Sequence, residues 1–203
     1  MNTAIPGSSS LVDLEDLTDD TDLSELEAEL ESLGILVKRI DGEKIFYTGH
    51  LTNAEVVDKL NSEFNKDTDI KKCSRFERLI RDFLLDELNW DVITLPMQSE
   101  SGVQDTFFKA LLLSRQFQYA AFKFLMVKLD KIGTNKSCTR DDKEFGKHLV
   151  SHVRYIEKIH NTRALLSLVF DKDISTWISP LREDFVRVLP EMLLTKAHIK
   201  VSP

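Results

Sequence analysis

The sequence predicts an all-α protein: a segment of helical-repeat α-solenoid of the HEAT or armadillo kind, carrying one small β-hairpin near its N-terminus. Three observations predict it. Apolar residues recur at helical spacing through most of residues 51–195, and several of these stretches open with their own start signals. The β-branched and aromatic enrichment expected of strands is concentrated around a single Asp-Gly turn. The connections between helices read as short, which suits helix pairs stacked in a row. The expected organisation is an acidic tail over 1–22, a helix plus hairpin over 23–50, a helical-repeat domain over 51–195 and a C-terminal tail over 196–203.

Taken in order, Pro6, Gly7 and Ser8 to Ser10 mark a tail. Ser24 and Glu27 form a capping-box pair, Leu23, Leu26, Leu30 and Leu33 mark one helical face, and Gly34 stops the helix. Residues 35–40 and 44–47 flank Asp41-Gly42 as the hairpin. Thr52 with Glu55 opens a helix bearing Val56, Val57, Leu60 and Phe64. Ser74 with Glu77 opens another bearing Phe76, Leu79, Ile80, Phe83, Leu84 and Leu88. Residues 90–103, with Pro96, Ser99, Ser101 and Gly102, read as the longest internal break. Helical spacing resumes over 107–113 and 117–132, and Gly133 is expected to end that pair. Asp141 with Glu144 then opens a helix that buries Phe145, Leu149, Val153, Ile156 and Ile159. Asn161 caps the next, and Ser179-Pro180 places proline in a first turn before Leu181, Phe185, Val186 and Leu189. In Pro180 to Leu193 the second proline, Pro190, reads as the bend that closes one repeat layer.

The 203 residues, 42% hydrophobic and 30% charged with 7 Gly and 5 Pro, exclude a collagen-like or wholly disordered chain. The net charge of -7 is unevenly placed. Residues 1–34 hold ten carboxylates and no Lys or Arg. The remainder holds 24 acids against 27 bases, so the balance is -10 plus +3. Two distant cysteines, Cys73 and Cys138, fit a reducing compartment and read as inert thiols. No apolar run approaches the ~20 residues of a bilayer span, and the start lacks the features of a signal peptide. The expected location is cytosol or nucleus.

Three features invite a chemical reading. Glu144, His148 and His152 sit four residues apart and would stack on one helix face, a geometry able to meet zinc. No HExxH and no third His or Cys ligand accompany them, so a solvated polar stripe is expected and no metal is assigned. No phosphate-binding glycine loop or nucleophile motif occurs. The expectation is therefore a non-enzyme without cofactor, small-molecule substrate or membrane. Residues 109–163 carry twelve bases against five acids, a local +7 that could track a nucleic-acid backbone, although a solvated face is the ordinary use of such charge. The expected duplex-DNA contacts are Lys123, Lys128, Lys131, Lys143, Lys147 and Arg154. Finally, Leu11, Val12, Leu14 and Leu17, interleaved with acids, resemble segments that add a strand to a SUMO sheet edge; an acidic tail is the plainer reading.

The stretch Leu149 to Glu157, with its apolar, basic and aromatic order, and Arg182 to Leu193, ending in Leu189-Pro190-Glu191-Met192-Leu193, resemble the N-terminal solenoid of the Fanconi anaemia group D-two family. Phe108 to Leu113, Phe122 to Leu129 and Leu33 to Lys38 fit its register, which extends the resemblance over most of residues 30–195. The resemblance implies a nuclear, non-enzymatic scaffold of DNA interstrand-crosslink repair that pairs with a Fanconi anaemia group I-like protein and helps clamp duplex DNA. Family members are several times longer, and their modified lysine has no counterpart in these residues. The alternative expectation is a stand-alone all-α adaptor that captures a partner through its acidic N-terminal tail.

Overall fold

A computed structural model of the protein describes residues 19–40 and 42–196. The order is α1 (Asp19–Ser32), β1 (Leu36–Ile40), β2 (Glu43–Tyr47), α2 (Asn53–Glu63), α3 (Ile70–Phe83), α4 (Leu88–Thr94), β3 (Pro96–Ser99), β4 (Gly102–Thr106), α5 (Phe107–Leu113), α6 (Gln118–Thr134), α7 (Arg140–Val153), α8 (Thr162–Phe170), a 3-10 turn (Ile174–Thr176) and α9 (Ser179–Lys196). The four strands form one mixed sheet in the order β1-β2-β3-β4. Two antiparallel hairpins are joined by a parallel β2–β3 pair through Tyr47 and Gln98.

This sheet overturns the all-α solenoid. The first hairpin lies where the sequence places it, with Leu36 opposite Tyr47 and Ile40 opposite Glu43. The second occupies residues read as a break, and α4 occupies the start of that same stretch. β3 and β4 carry Pro96, Gln98, Ser99, Gly102 and Gln104, and only Met97 of the two strands is fully buried, so no alternating apolar pattern announces them. They are strands because a neighbour about fifty residues earlier holds them. The Thr48 N–H donates to the Gln98 carbonyl at 2.9 Å, and the Glu100 N–H to the Gly49 carbonyl at 2.9 Å. Strand formation depends on context of this kind more than helix formation does. The core also differs from that of a solenoid, in which each repeat touches only its neighbours. One contiguous apolar cluster runs from Leu26 in α1 to Met192 in α9.

α1 begins five residues before Ser24, so Ser24 lies inside the helix and does not cap it. Leu26, Leu30 and Leu33 are buried, and the chain leaves through Gly34 at φ 78°, a conformation that costs a glycine little. The Thr52 capping box forms as expected: the Glu55 N–H donates to Thr52 Oγ1 at 3.3 Å and the Thr52 N–H donates to Glu55 Oε2 at 2.8 Å. α3 starts earlier than Ser74, capped by Asp69, whose carboxylate accepts from the Lys72 N–H at 2.9 Å. The extra turn brings Cys73 into the core beside Phe76, while Leu88 belongs to α4 and is exposed. Phe64, Phe76 and Phe117 form a cluster in which Phe64 stacks on Phe76 at 4.3 Å and Phe117 closes both at about 5 Å. Burying each ring contributes roughly 1.5–3 kcal/mol.

Gly133 does not end α6; it lies within the helix and is buried. A Cβ at this position would come within 2.6 Å of the Trp177 ring, so the glycine is the recess into which Trp177 packs. The Gly133 carbonyl accepts from the Ile178 N–H at 2.7 Å, and Trp177 Nε1–H donates to Asp130 at 2.9 Å. α7 is capped by Thr139 with Asp142, not by Asp141 with Glu144. It ends at Val153, leaving Ile156 and Ile159 buried in the following loop. Asn161 caps α8 through the Ala164 N–H at 3.0 Å, as its sequence position predicts. α9 runs through Pro190 without ending there, and it buries Leu181, Phe185, Val188 and Met192 while Val186 faces out. Among the described residues no helix is long and apolar enough to cross a membrane.

Candidate functional site

The last turn of α3 and the start of α4 face one side of α6 across a cleft of about 380 Å³. Arg81, Leu84, Leu85, Glu87 and Trp90 line one wall; Lys123, Phe124, Val127, Lys128 and Lys131 line the other. The second set falls at steps of one, three and four along α6, the spacing of a single helical face. The floor is fixed by Trp90, which is buried and whose Nε1–H donates to the Leu84 carbonyl at 3.1 Å. At the rim, Leu85 is 75% exposed and Val127 is 53% exposed.

Glu87 organises the charge of this cleft. Its carboxylate accepts from the Lys128 ammonium and from Lys131 Nζ at 2.5 Å. The Lys128 side chain is only 10% exposed, and its ammonium also lies 5.6 Å from the centres of the Trp90 and Phe145 rings. Burial first, and then the charge of Lys131, lower the affinity of Lys128 for its proton, with Asp142 opposing. Arg81 pairs with its neighbour Asp82 at 2.8 Å. Among the described residues, Lys123 has no carboxylate within ion-pair distance.

Of the six cations expected to touch DNA, the fold brings Lys123, Lys128 and Lys131 to this cleft and leaves Lys143, Lys147 and Arg154 on α7 and its C-cap. Lys147 is bonded to Glu144 at 2.9 Å, and Arg154 approaches Glu191 at 3.6 Å. With Lys128 and Lys131 held by Glu87, four of the six are engaged by carboxylates. Leu11, Val12, Leu14 and Leu17 lie outside the described residues.

The Glu144, His148 and His152 stripe is not the solvated polar face expected of it. Glu144 turns to Lys147, while His152 is buried and its Nδ1–H donates to the His148 carbonyl at 3.0 Å. The His152 ring meets His148 edge-on at 4.8 Å and Phe108 at 5.7 Å. Burial pushes its pKa down to about 4; the bond to the His148 carbonyl opposes this, and the charges of His148 and Lys109 add to it. His152 is thus a neutral core histidine. Among the described residues, no three potential metal ligands come together.

Leu84 is read from the sequence only as part of an apolar helix face, and Arg81, Leu85, Glu87 and Trp90 are cleft residues that the linear pattern does not single out. The available signal is Leu85, an apolar residue beside the inward-facing Leu84 and surplus to the face of α3 formed by Phe76, Leu79, Ile80 and Phe83.

Fold and site together define an α/β protein with an open apolar groove between helices, rimmed by cations. No family model matches the chain, and no curated protein matches it.

Proposed function

We propose that the protein is a non-enzymatic scaffold of the Fanconi anaemia group D-two type, working in nuclear DNA interstrand-crosslink repair by binding a group I-like protein. The observation that carries this reading is the pairing of the two segments that bear the resemblance. Leu149 to Glu157 closes α7, Arg182 to Leu193 lies in α9, the two helices pack on each other, and Arg154 reaches Glu191 across them. Residues far apart in the sequence that carry one pattern thus also form one structural unit.

Protein contact is the principal activity in this reading and duplex DNA the lesser one. Four of the six nominated cations already face carboxylates, which leaves little charge to displace counterions from a phosphate backbone. The test is a two-part binding measurement on the full chain. Immobilised protein is expected to retain a purified group I-like partner at micromolar concentration, and failure to retain it sinks the scaffold reading. Duplex DNA titrated at two salt concentrations is expected to bind weakly, with a log-log salt slope of about -2, as for two neutralised phosphates. A slope several times steeper would make DNA the principal ligand.

A further inference from the structure

Resting on the scaffold reading, we infer that the cleft between the α3–α4 junction and α6 is the docking groove for an acidic amphipathic helix of the protein partner. Its form suits that ligand. An amphipathic helix lies in an apolar groove by setting residues at i, i+3, i+4 and i+7 against it, and here the α3–α4 junction and α6 flank an apolar floor of Leu84, Trp90 and Phe124. Leu85 and Val127 continue that floor onto the open rim. Single exposed aliphatics are ordinary on protein surfaces, but a tryptophan-floored groove whose flanking aliphatics face water is the arrangement in which binding energy concentrates.

The charge selects the sign of the partner. The lining holds four bases, Arg81, Lys123, Lys128 and Lys131, against one acid, Glu87; with Asp82 beside Arg81 and Asp142 acting on Lys128 counted as well, the excess is one, the charge of Lys123. Glu87 is satisfied from within by Lys128 and Lys131, so it presents no free carboxylate to repel an acidic ligand. Lys123 stands on the rim without a carboxylate partner among the described residues, and carboxylates of a docked helix would complete it. A nucleic-acid backbone would answer the charge but would leave Leu85 and Val127 in water; an acidic helix with an apolar face answers both.

The experiment titrates the full chain with a labelled helix-forming peptide of about fourteen residues, leucine at i, i+3, i+4 and i+7 and glutamate between. Saturable binding that weakens with salt is expected. The variants Leu85→Asp and Lys123→Glu, both at exposed positions, are expected to weaken it at least ~tenfold each with unchanged circular dichroism. Equal binding of a peptide with lysine in place of glutamate, or undiminished binding by both variants, overturns the inference. A tenfold gain on deleting residues 1–18 would identify the chain's own acidic segment as the occupant, and a dimer dissolved by Leu85→Asp would identify a second copy; either overturns it too. The scaffold reading is judged separately, by retention of the group I-like partner. Equal retention by wild type and Leu85→Asp overturns the groove alone, whereas no retention by a chain that binds the peptide overturns the scaffold reading alone.

Discussion

The N-terminal half, from α1 to β4, and the C-terminal half, from α5 to α9, are stabilised in different ways. In the first, strand and turn backbone groups are satisfied between segments far apart in the chain: β2 pairs with β3, and the Asp105 N–H donates to Asn53 at 2.9 Å. In the second, backbone-to-backbone bonds stay within helices, their caps and short turns apart from the Ile178 N–H to the Gly133 carbonyl, and most of the long-range work is done by side chains such as Trp177 in the recess at Gly133. The difference teaches where a linear reading holds. Apart from the short α4, the helices announce themselves locally, whereas polar strands are decided by what lies beside them.

The aromatic cluster joins the halves, since Phe64 and Phe76 come from the first and Phe117 from the second. Phe76→Ala is therefore expected to have the largest effect, a loss of about 3–5 kcal/mol in urea unfolding. It should lower the stability of both halves together. If hydrogen exchange showed the helices α6 to α9 keeping their full protection, the halves would be independent units and the comparison would need redrawing.

His152 gives the C-terminal half a pH dependence of its own. Its folded pKa of about 4 lies below the ordinary 6.5. Above the ordinary value both states hold it neutral. As pH falls from 6.5 towards 4 the unfolded chain takes up a proton that the folded chain refuses, so stability is lost over that window, by about 3 kcal/mol in total. Denaturant midpoints at pH 7 and pH 4.5 should differ in the wild type and much less in His152→Gln. An equal shift in both would assign the acid sensitivity to other groups.

The smallest effect compares two equivalent parts. Thr52 opens α2 in the first half and Thr139 opens α7 in the second, each with a complete capping box. Thr52→Ala and Thr139→Ala should each cost about 1 kcal/mol. Thermal unfolding that responded to one and not the other would show that one half melts before the other.

Part of the site was legible and part was not. Lys123, Lys128 and Lys131 stand out as a basic run, yet their placement opposite Leu85, Glu87 and Trp90 depends on how α4 turns away from α3, and no spacing in the chain records it. Glu87, which neutralises two of those lysines, is about forty residues away from them in sequence. The Glu144, His148 and His152 stripe was legible as spacing, but its meaning was not. Spacing places side chains on a face, and burial then decided that His152 would be a core residue.

By itself the sequence determined the first hairpin, most residues of the helical faces, Leu88 and Val186 excepted, and the caps at Thr52 and Asn161, because each of these is settled within a few residues by turn geometry, periodicity and capping hydrogen bonds. Only the tertiary structure decided that residues 96–106 are strands, that Gly133 is a packing recess and not a helix end, that most of the nominated cations are already paired, and that a groove opens beside Trp90. Apart from the local Lys147–Glu144 pair, each of these depends on hydrogen bonds, close approach or ion pairs between residues more than thirty positions apart, and the energy of such contacts exists only once the chain has brought them together.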